Sequence, residues 1–275
     1  MCVLRLTPAN ISGMLFPTIL APMKLFFRES GQGPPLIILH GLFGSSDNWY
    51  TVAKTFSATH RVYLVDQRNH GQSPHSDDFN YQLLSEDLHQ FVDDHGLKKV
   101  DVIGHSMGGK AAMNAAVKYP DQIEKLVVVD IVPKAYPVHH DRLVAGMKAL
   151  APDQLTSRNE ADSMLGSYVP DVNERQFLLK NLVRKTGGGF EWKINLNAID
   201  KHLKELGEGM QYPGKFEKPA LFVRGARSTY FKPGDEAEIM KIFPQAKFVV
   251  LETGHWVQAE SPVEFARVVL DFLDQ

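Results

Sequence analysis

The feature that most constrains this chain is the pentapeptide Gly-His-Ser-Met-Gly at residues 104–108. An apolar run at residues 100–103, typical of a buried strand, comes before it, and an alanine-rich segment from Met107 predicts a helix after it. A Gly-x-Ser-x-Gly sequence between a strand and a helix forms a sharp turn that exposes the serine at the edge of a sheet. Because a weakly nucleophilic hydroxyl needs this exposure and a nearby base, we predict Ser106 as the nucleophile of a serine hydrolase.

Short apolar runs recur along the chain, with helix-like segments between most of them. Such runs are typical of strands that are buried on both faces. Their alternation with helices predicts an α/β fold in which helices flank a mostly parallel central sheet. The predicted strands cover residues 23–27, 36–39, 62–65, 100–103, 126–129, 220–223 and 248–251, and the clearest predicted helices cover residues 81–95, 107–119 and 262–273.

The alternation stops between about Pro133 and Phe216, where the sequence is amphipathic and mostly helix-like. We interpret this stretch as a helical lid inserted over the carboxyl edge of the sheet, where open α/β sheets bind their ligands. The expected division is a core of residues 23–133 and 217–275 with a lid of residues 134–216. Residues 1–22 are expected to be a leader or the product of an early start site, outside the fold.

The composition argues against several classes of protein. The 30 basic and 32 acidic residues form no long run of one sign, so we expect neither nucleic acid nor an anionic membrane surface as a partner. The apolar runs are too short for a transmembrane helix, and we expect no stable membrane association. The single cysteine, Cys2, cannot form an internal disulfide and fits a cytoplasmic enzyme, although a leader would also allow export. The sequence does not indicate an oligomeric state.

Eleven histidines compete for the role of general base. His255 follows the last predicted strand and comes just before a helix, and the chain order of the triad in this fold places the base in that last loop. His70 lies in a loop near the expected pocket. His40 ends a buried strand, where it is expected to satisfy local hydrogen bonds. We therefore predict His255 as the base.

The acid that orients the base does not occupy its usual place. The loop after residues 220–223 carries Ser228 where an acid is expected. Asp130 ends the apolar run at residues 126–129, beside the predicted nucleophile strand, and a buried carboxylate there needs a partner. Asp235 is the alternative, although an acidic residue is also expected at the start of a helix. We predict Asp130 as the acid, with Ser228 donating a hydrogen bond to Asp130 or His255.

The sequence His-Gly-Leu-Phe-Gly at residues 40–44 follows an early predicted strand. A glycine-bearing loop at this point can direct a backbone N–H toward the oxyanion of the reaction. We predict an oxyanion hole formed by the N–H groups of Leu42 and Met107, with Phe43 as the alternative donor. Phe43, Trp192 and Trp256 are the predicted walls of the substrate pocket. This chemistry implies no metal and no organic cofactor.

Several longer segments of the sequence are typical of one known family. They are residues 39–45 (Leu-His-Gly-Leu-Phe-Gly-Ser), 66–73 (Asp-Gln-Arg-Asn-His-Gly-Gln-Ser), 104–110 (Gly-His-Ser-Met-Gly-Gly-Lys), 130–133 (Asp-Ile-Val-Pro), 176–180 (Gln-Phe-Leu-Leu-Lys) and 254–257 (Gly-His-Trp-Val). With these segments the chain, from Met23 onward, resembles the YbfF-type bacterial esterases of the α/β-hydrolase superfamily, which are relatives of the abhydrolase-11-type proteins.

The resemblance implies a hydrolase that cleaves short- to medium-chain acyl esters, with acyl-CoA thioesters as the alternative substrate. It also implies an acid after the strand that follows the nucleophile strand, which is the sixth strand in the numbering of the family and the fifth of the runs given above. It further implies a serine in the usual acid position. Both agree with Asp130 and Ser228. Carbon–carbon bond hydrolysis, lactone opening and a non-catalytic ligand receptor are the other functions that this fold allows.

Overall fold

Seven strands form a central sheet in the computed structural model, which describes residues 23–137 and 140–275. The interior strands are apolar on both faces, as the continuous apolar runs require. The strands are β1 (Phe27–Ser30), β2 (Pro35–Leu39), β3 (Arg61–Val65), β4 (Val100–His105), β5 (Ile123–Val129), β8 (Ala220–Gly225) and β9 (Ala246–Leu251), while β6 (Leu182–Arg184) and β7 (Phe190–Trp192) form a separate antiparallel hairpin.

The order of strands across the sheet is β1-β3-β2-β4-β5-β8-β9. Strand β1 pairs antiparallel with β3, and every other neighbouring pair is parallel. The predicted mostly parallel sheet is therefore confirmed. Strands β4 and β5 are neighbours, with His105 opposite Val129, so the residues that follow them emerge side by side at one edge of the sheet.

Helices cover both faces of the sheet, because alternate residues of each strand point to opposite sides. Among the residues that the structure describes, no helix combines the length and the apolar character needed to cross a membrane. The helices are α1 (Tyr50–Phe56), α2 (Tyr81–Asp94), α3 (Met107–Lys118), α4 (Asp141–Ala149), α5 (Arg158–Leu165), α6 (Val172–Leu179), α7 (Leu196–Gly207), α8 (Asp235–Ile242), α9 (Val257–Glu260) and α10 (Pro262–Leu273).

The first strand differs from its prediction. It was expected at residues 23–27 but begins at Phe27 and runs to Ser30. The reason is local, because the N–H of Phe26 donates to Ser73 Oγ at 2.8 Å instead of joining the sheet. The pairing with β3 starts one residue later, where Phe27 lies opposite Val65.

The segment between β5 and β8 contains helices α4 to α7 and also the β6–β7 hairpin, which the sequence did not predict. It is tied to the core by the N–H of Asn195, which donates to the carbonyl of Asn69 at 2.9 Å. The strands of the central sheet lie outside residues 134–216. The division into core and lid stays a prediction. The predicted leader, residues 1–22, lies outside the described part of the chain.

Candidate active site

Ser106 occupies the turn between β4 and α3. Its backbone has φ 52° and ψ −117°, a region that non-glycine residues rarely adopt and that stores strain at functional sites. The turn leaves no room for a side chain at Gly104, where a Cβ would lie 2.3 Å from the carbonyl oxygen of Gly108. The N–H of Ser106 donates to the carbonyl of Val129 at 3.1 Å and holds the turn against β5. The sequence thus folds here into the strained nucleophile turn that the motif predicts.

His255 and Asp130 meet at the same edge of the sheet. The Nδ1 atom of His255 lies 2.7 Å from Asp130 Oδ2. The Asp130 side chain is fully buried, whereas that of His255 is 22% exposed. A buried carboxylate needs donors, and Asp130 receives two more, from the hydroxyl of Ser228 and from the N–H of Gly225 at 2.9 Å. The structure therefore brings together Asp130, His255 and Ser228.

The alternative acid, Asp235, lies elsewhere. Its carboxylate is 2.5 Å from Lys134 Nζ and accepts the N–H of Lys232 at 2.7 Å, at the start of α8.

Asp130 follows β5 directly, and its N–H still donates to the carbonyl of Val223 on β8 at 2.8 Å. Its positive φ of 51° then turns the chain away from the sheet.

Two aromatic residues support His255. The ring of Tyr230 stacks on the imidazole with 4.1 Å between ring centroids, and the Nε2 of His105 donates to the carbonyl of His255 at 2.9 Å. Burial lowers the pKa of His105 well below its usual value, so its ring stays neutral and keeps its one proton on the donating Nε2 atom. Sequence reasoning did not find this role, because the contact joins residues 150 positions apart.

The loop that follows β2 approaches Ser106 closely. A Cβ at Gly41 would lie only 3.2 Å from Ser106 Cβ, so glycine is what permits this approach. Leu42 comes next in this loop, and Met107 begins α3. The N–H of Phe43, the alternative oxyanion donor, already donates to His70 Nε2 at 3.2 Å. The N–H of Phe43 is therefore engaged, and Leu42 stays the predicted donor.

Two side chains hold Phe43 in a left-handed conformation, with φ 60°. The amide of Asn181, from the segment between β5 and β8, donates to the carbonyl of Phe43 at 2.8 Å. On the other side His70 accepts from Phe43 and donates from Nδ1 to the carbonyl of Arg68 at 2.9 Å. Burial lowers the pKa of His70 to about 3, which keeps Nε2 an acceptor. The sequence placed His70 near the pocket but gave no sign of Asn181.

Two cavities meet at Ser106. The larger has a volume of about 890 Å³, and Phe43 and Trp256 are among the residues that line it. The smaller has a volume of about 50 Å³ and extends from Ser106 to Lys110 on α3. Trp192 lines neither cavity, because it lies in β7 opposite Leu182. Ser106 thus lies between a large cleft and a small pocket.

Comparisons with known proteins agree with this architecture. The model of the α/β-hydrolase fold family matches residues 34–157. The chain is 41% identical to the sn-1-specific diacylglycerol lipase ABHD11 of Mus musculus, over 87% of this chain and 81% of that protein. It is 34% identical to Esterase YbfF of Escherichia coli (strain K12), over 92% of this chain and 100% of that protein.

A solved structure gives the same result. A marine microorganism esterase superposes with a TM-score of 0.89 and 42% sequence identity, covering 91% of this chain and 99% of that chain. The fold and the site thus define a serine-type α/β-hydrolase. The chain belongs to the α/β-hydrolase family, in the group that includes YbfF and ABHD11, which confirms the resemblance found in the sequence.

Proposed function

We propose that this chain hydrolyses carboxylic esters in two steps through an acyl-enzyme on Ser106. As a member of the YbfF and ABHD11 group it is a carboxylic ester hydrolase. The observation that carries the mechanism is the 2.7 Å contact between His255 and the buried Asp130, beside the cleft that contains Ser106.

In the first step, Nε2 of His255 removes the proton of Ser106, and the serine oxygen attacks the acyl carbon. Asp130 accepts the Nδ1–H of His255, which fixes the tautomer needed for a base and stabilises the imidazolium that forms. The N–H groups of Leu42 and Met107 bind the developing oxyanion, and the amino-terminal end of α3 adds a favourable dipole. The alcohol leaves with the proton from His255.

In the second step, a water molecule loses a proton to His255 and attacks the acyl group on Ser106. The same oxyanion donors act again. The bond between the acyl carbon and the Ser106 oxygen then breaks, His255 returns its proton to that oxygen, and the carboxylic acid is released. Ser228 and Gly225 donate to Asp130 throughout the cycle, so the carboxylate keeps its position while the imidazole gains and loses a proton.

The two cavities support a division of the substrate. We assign the acyl group to the small cavity of about 50 Å³, which favours short acyl chains, and the alcohol to the large cleft. The cleft is lined by three carboxylates, Asp171, Glu174 and Glu260, and by one ammonium group, that of Lys180. Glu260 is paired with Arg227 at 3.0 Å, so the remaining carboxylates outnumber the ammonium by one. Like charges repel, so this lining favours an uncharged alcohol over a polyanionic leaving group such as coenzyme A. We therefore propose esters rather than acyl-CoA thioesters as substrates.

We also propose a cytoplasmic enzyme that acts on small molecules without stable membrane association. The single cysteine, Cys2, forms no internal disulfide, and the 30 basic residues are balanced by 32 acidic ones. Neither property favours a secreted protein or binding to anionic lipid.

The test is the hydrolysis of p-nitrophenyl esters from acetate to octanoate. The wild-type protein should turn over the short esters, and Ser106→Ala should lose roughly 10³-fold or more in kcat. The matched control is Ser163→Ala, at an exposed position of α5, which should keep wild-type rates. Turnover by Ser106→Ala close to that of the wild type would contradict the mechanism.

A further inference from the structure

A buried lysine faces the small cavity behind the nucleophile. Lys110 lies one helical turn after Ser106 in α3, and residues four apart share one face of a helix. Long helical side chains lean toward the amino-terminal end of their helix, which is the end of α3 that follows Ser106. Lys110 is only 1% exposed, and it lines the same small cavity as Ser106 and Leu42.

The ammonium of Lys110 has no anionic partner among the described residues. Its Nζ donates to the carbonyl of Glu208 at 2.7 Å and lies 5.2 Å and 5.0 Å from the ring centroids of Tyr81 and Tyr136. Other lysines form ion pairs with acidic side chains, but Lys110 forms none within the described part of the chain. Since an ammonium carries three N–H donors, two stay available after the bond to Glu208.

This arrangement is costly without a ligand. Burying a cation without an anion is unfavourable, and burial lowers the pKa of Lys110 to about 8. The contact with Glu208 places the charge at the carboxyl end of α7, where the helix dipole favours a cation, but it uses one N–H only. Much of the cavity wall is apolar and includes Ile131, Leu203 and Leu206. The ammonium of Lys110 is therefore a positively charged hydrogen-bond donor in the wall of a small cavity whose lining is otherwise largely apolar.

We propose that Lys110 binds a carboxylate at the far end of the acyl group, so that the enzyme prefers monoesters of short dicarboxylic acids. This inference rests on the proposed acyl-serine mechanism and on the assignment of the acyl group to the small cavity. A carboxylate accepts two N–H bonds readily and supplies the charge that Lys110 lacks. The net reaction is ordinary hydrolysis, in which water and the monoester give the dicarboxylic acid and the alcohol.

The size of the cavity sets the length of the acyl group. A water-sized group needs roughly 10–15 Å³ of such space, so a cavity of about 50 Å³ holds roughly three to five small groups. A malonyl or succinyl chain is of this size. Longer dicarboxylates would have to displace the walls of the cavity, and we expect the preference to fall from succinate to adipate.

The experiment compares two esters of similar length, methyl hydrogen succinate and methyl butanoate, by their kcat/KM in a pH-stat assay near neutral pH. We expect the wild type to prefer the succinate monoester by about tenfold or more, and Lys110→Met to lower this ratio by about tenfold. The ratio cancels any general loss of activity. The matched control is Lys118→Met, at the exposed end of the same helix, which should keep the wild-type ratio.

Two outcomes separate this inference from the proposed function. Equal or better hydrolysis of methyl butanoate by the wild type would overturn the role of Lys110 and leave the acyl-serine mechanism intact. If neither methyl ester nor p-nitrophenyl acetate were hydrolysed, the proposed function itself would fail.

A second experiment measures the binding of both methyl esters to Ser106→Ala by calorimetry. It makes the test independent of the folding of Lys110→Met. Here too the succinate monoester should bind about tenfold more tightly, and equal affinities would contradict the inference.

Discussion

Replacement of Asp130 by asparagine changes one atom of a fully buried group with three defined donors. Oδ1 accepts the N–H of Gly225 at 2.9 Å, while Oδ2 accepts from Ser228 and from His255 Nδ1, the latter at 2.7 Å. An amide has one oxygen, and the backbone N–H of Gly225 cannot turn away or become an acceptor. The amide oxygen should therefore face Gly225 and the NH₂ group should face His255. His255 then carries its proton on Nε2 and cannot act as a base.

The loss of activity can be estimated from these contacts. Activity requires the flipped amide, which sets NH₂ against the N–H of Gly225 and leaves a buried donor unpaired, at a cost of about 1–3 kcal/mol. Even when flipped, a neutral amide loses the charge-assisted bond to the imidazolium of His255, about 1.5–3 kcal/mol more. The sum of about 2.5–6 kcal/mol corresponds to a decrease in kcat of roughly 10²–10⁴-fold for Asp130→Asn.

Steady-state hydrolysis of p-nitrophenyl butyrate measures this loss. Asp235→Asn is the matched control, because Asp235 contacts Lys134 and should change kcat by less than about threefold. Circular dichroism of both variants checks that they are folded. A loss smaller than about tenfold for Asp130→Asn, or a larger loss for Asp235→Asn, would refute the assignment of the acid.

Three further predictions concern groups around the site. Ser228→Ala removes one donor to Asp130 and should lower kcat about tenfold in the same ester assay, whereas an unchanged kcat would contradict a supporting role. Arg68→Met leaves the carboxylate of Asp87 buried without its partner and should reduce the free energy of unfolding by about 3–5 kcal/mol in a urea titration, so a loss below about 1 kcal/mol would be unexpected. Burial lowers the pKa of His70 from 6.5 to about 3, so between these pH values a proton binds the unfolded chain only. Stability should then fall with decreasing pH by about 1.4 kcal/mol per unit for this group, and a His70→Gln variant with an equally steep dependence would contradict the expectation.

The sheet and the catalytic edge could be predicted from the sequence because their signals are local. Buried parallel strands appear as continuous apolar runs, and the nucleophile turn is a pentapeptide between a strand and a helix. The contact between Asp130 and His255 could be predicted for the same reason, because a carboxylate directly after an apolar run has to find a partner. The usual acid position is occupied by Ser228, and this absence of an acid also pointed to Asp130.

The supporting contacts could not be predicted, because they join distant parts of the chain. The carbonyl of His255 accepts from a residue 150 positions away, and that of Phe43 accepts from Asn181, 138 positions away. No spacing in the sequence marks such pairs. The hairpin of β6 and β7 was missed because three residues per strand are too few to show a period of two.

The walls of the pocket illustrate the same limit. Trp192 was predicted to line the pocket from its aromatic character, but its position opposite Leu182 in the hairpin keeps it away from both cavities. Lys110 shows the opposite case, since its place in a helix gave no sign of a ligand. The proposed role of Lys110 in binding a ligand depends on the small cavity. That cavity forms only when α3, α7 and the loop after β5 are packed together.

The most direct test of the central claim is covalent labelling by a fluorophosphonate, followed by intact mass measurement and peptide mapping. A serine activated by His255 should take up one phosphonyl group per chain at Ser106, with esterase activity lost in proportion to labelling. Ser106→Ala should take up none under the same conditions. Labelling at another residue, or full esterase activity in a fully labelled sample, would contradict the claim that Ser106 is the nucleophile.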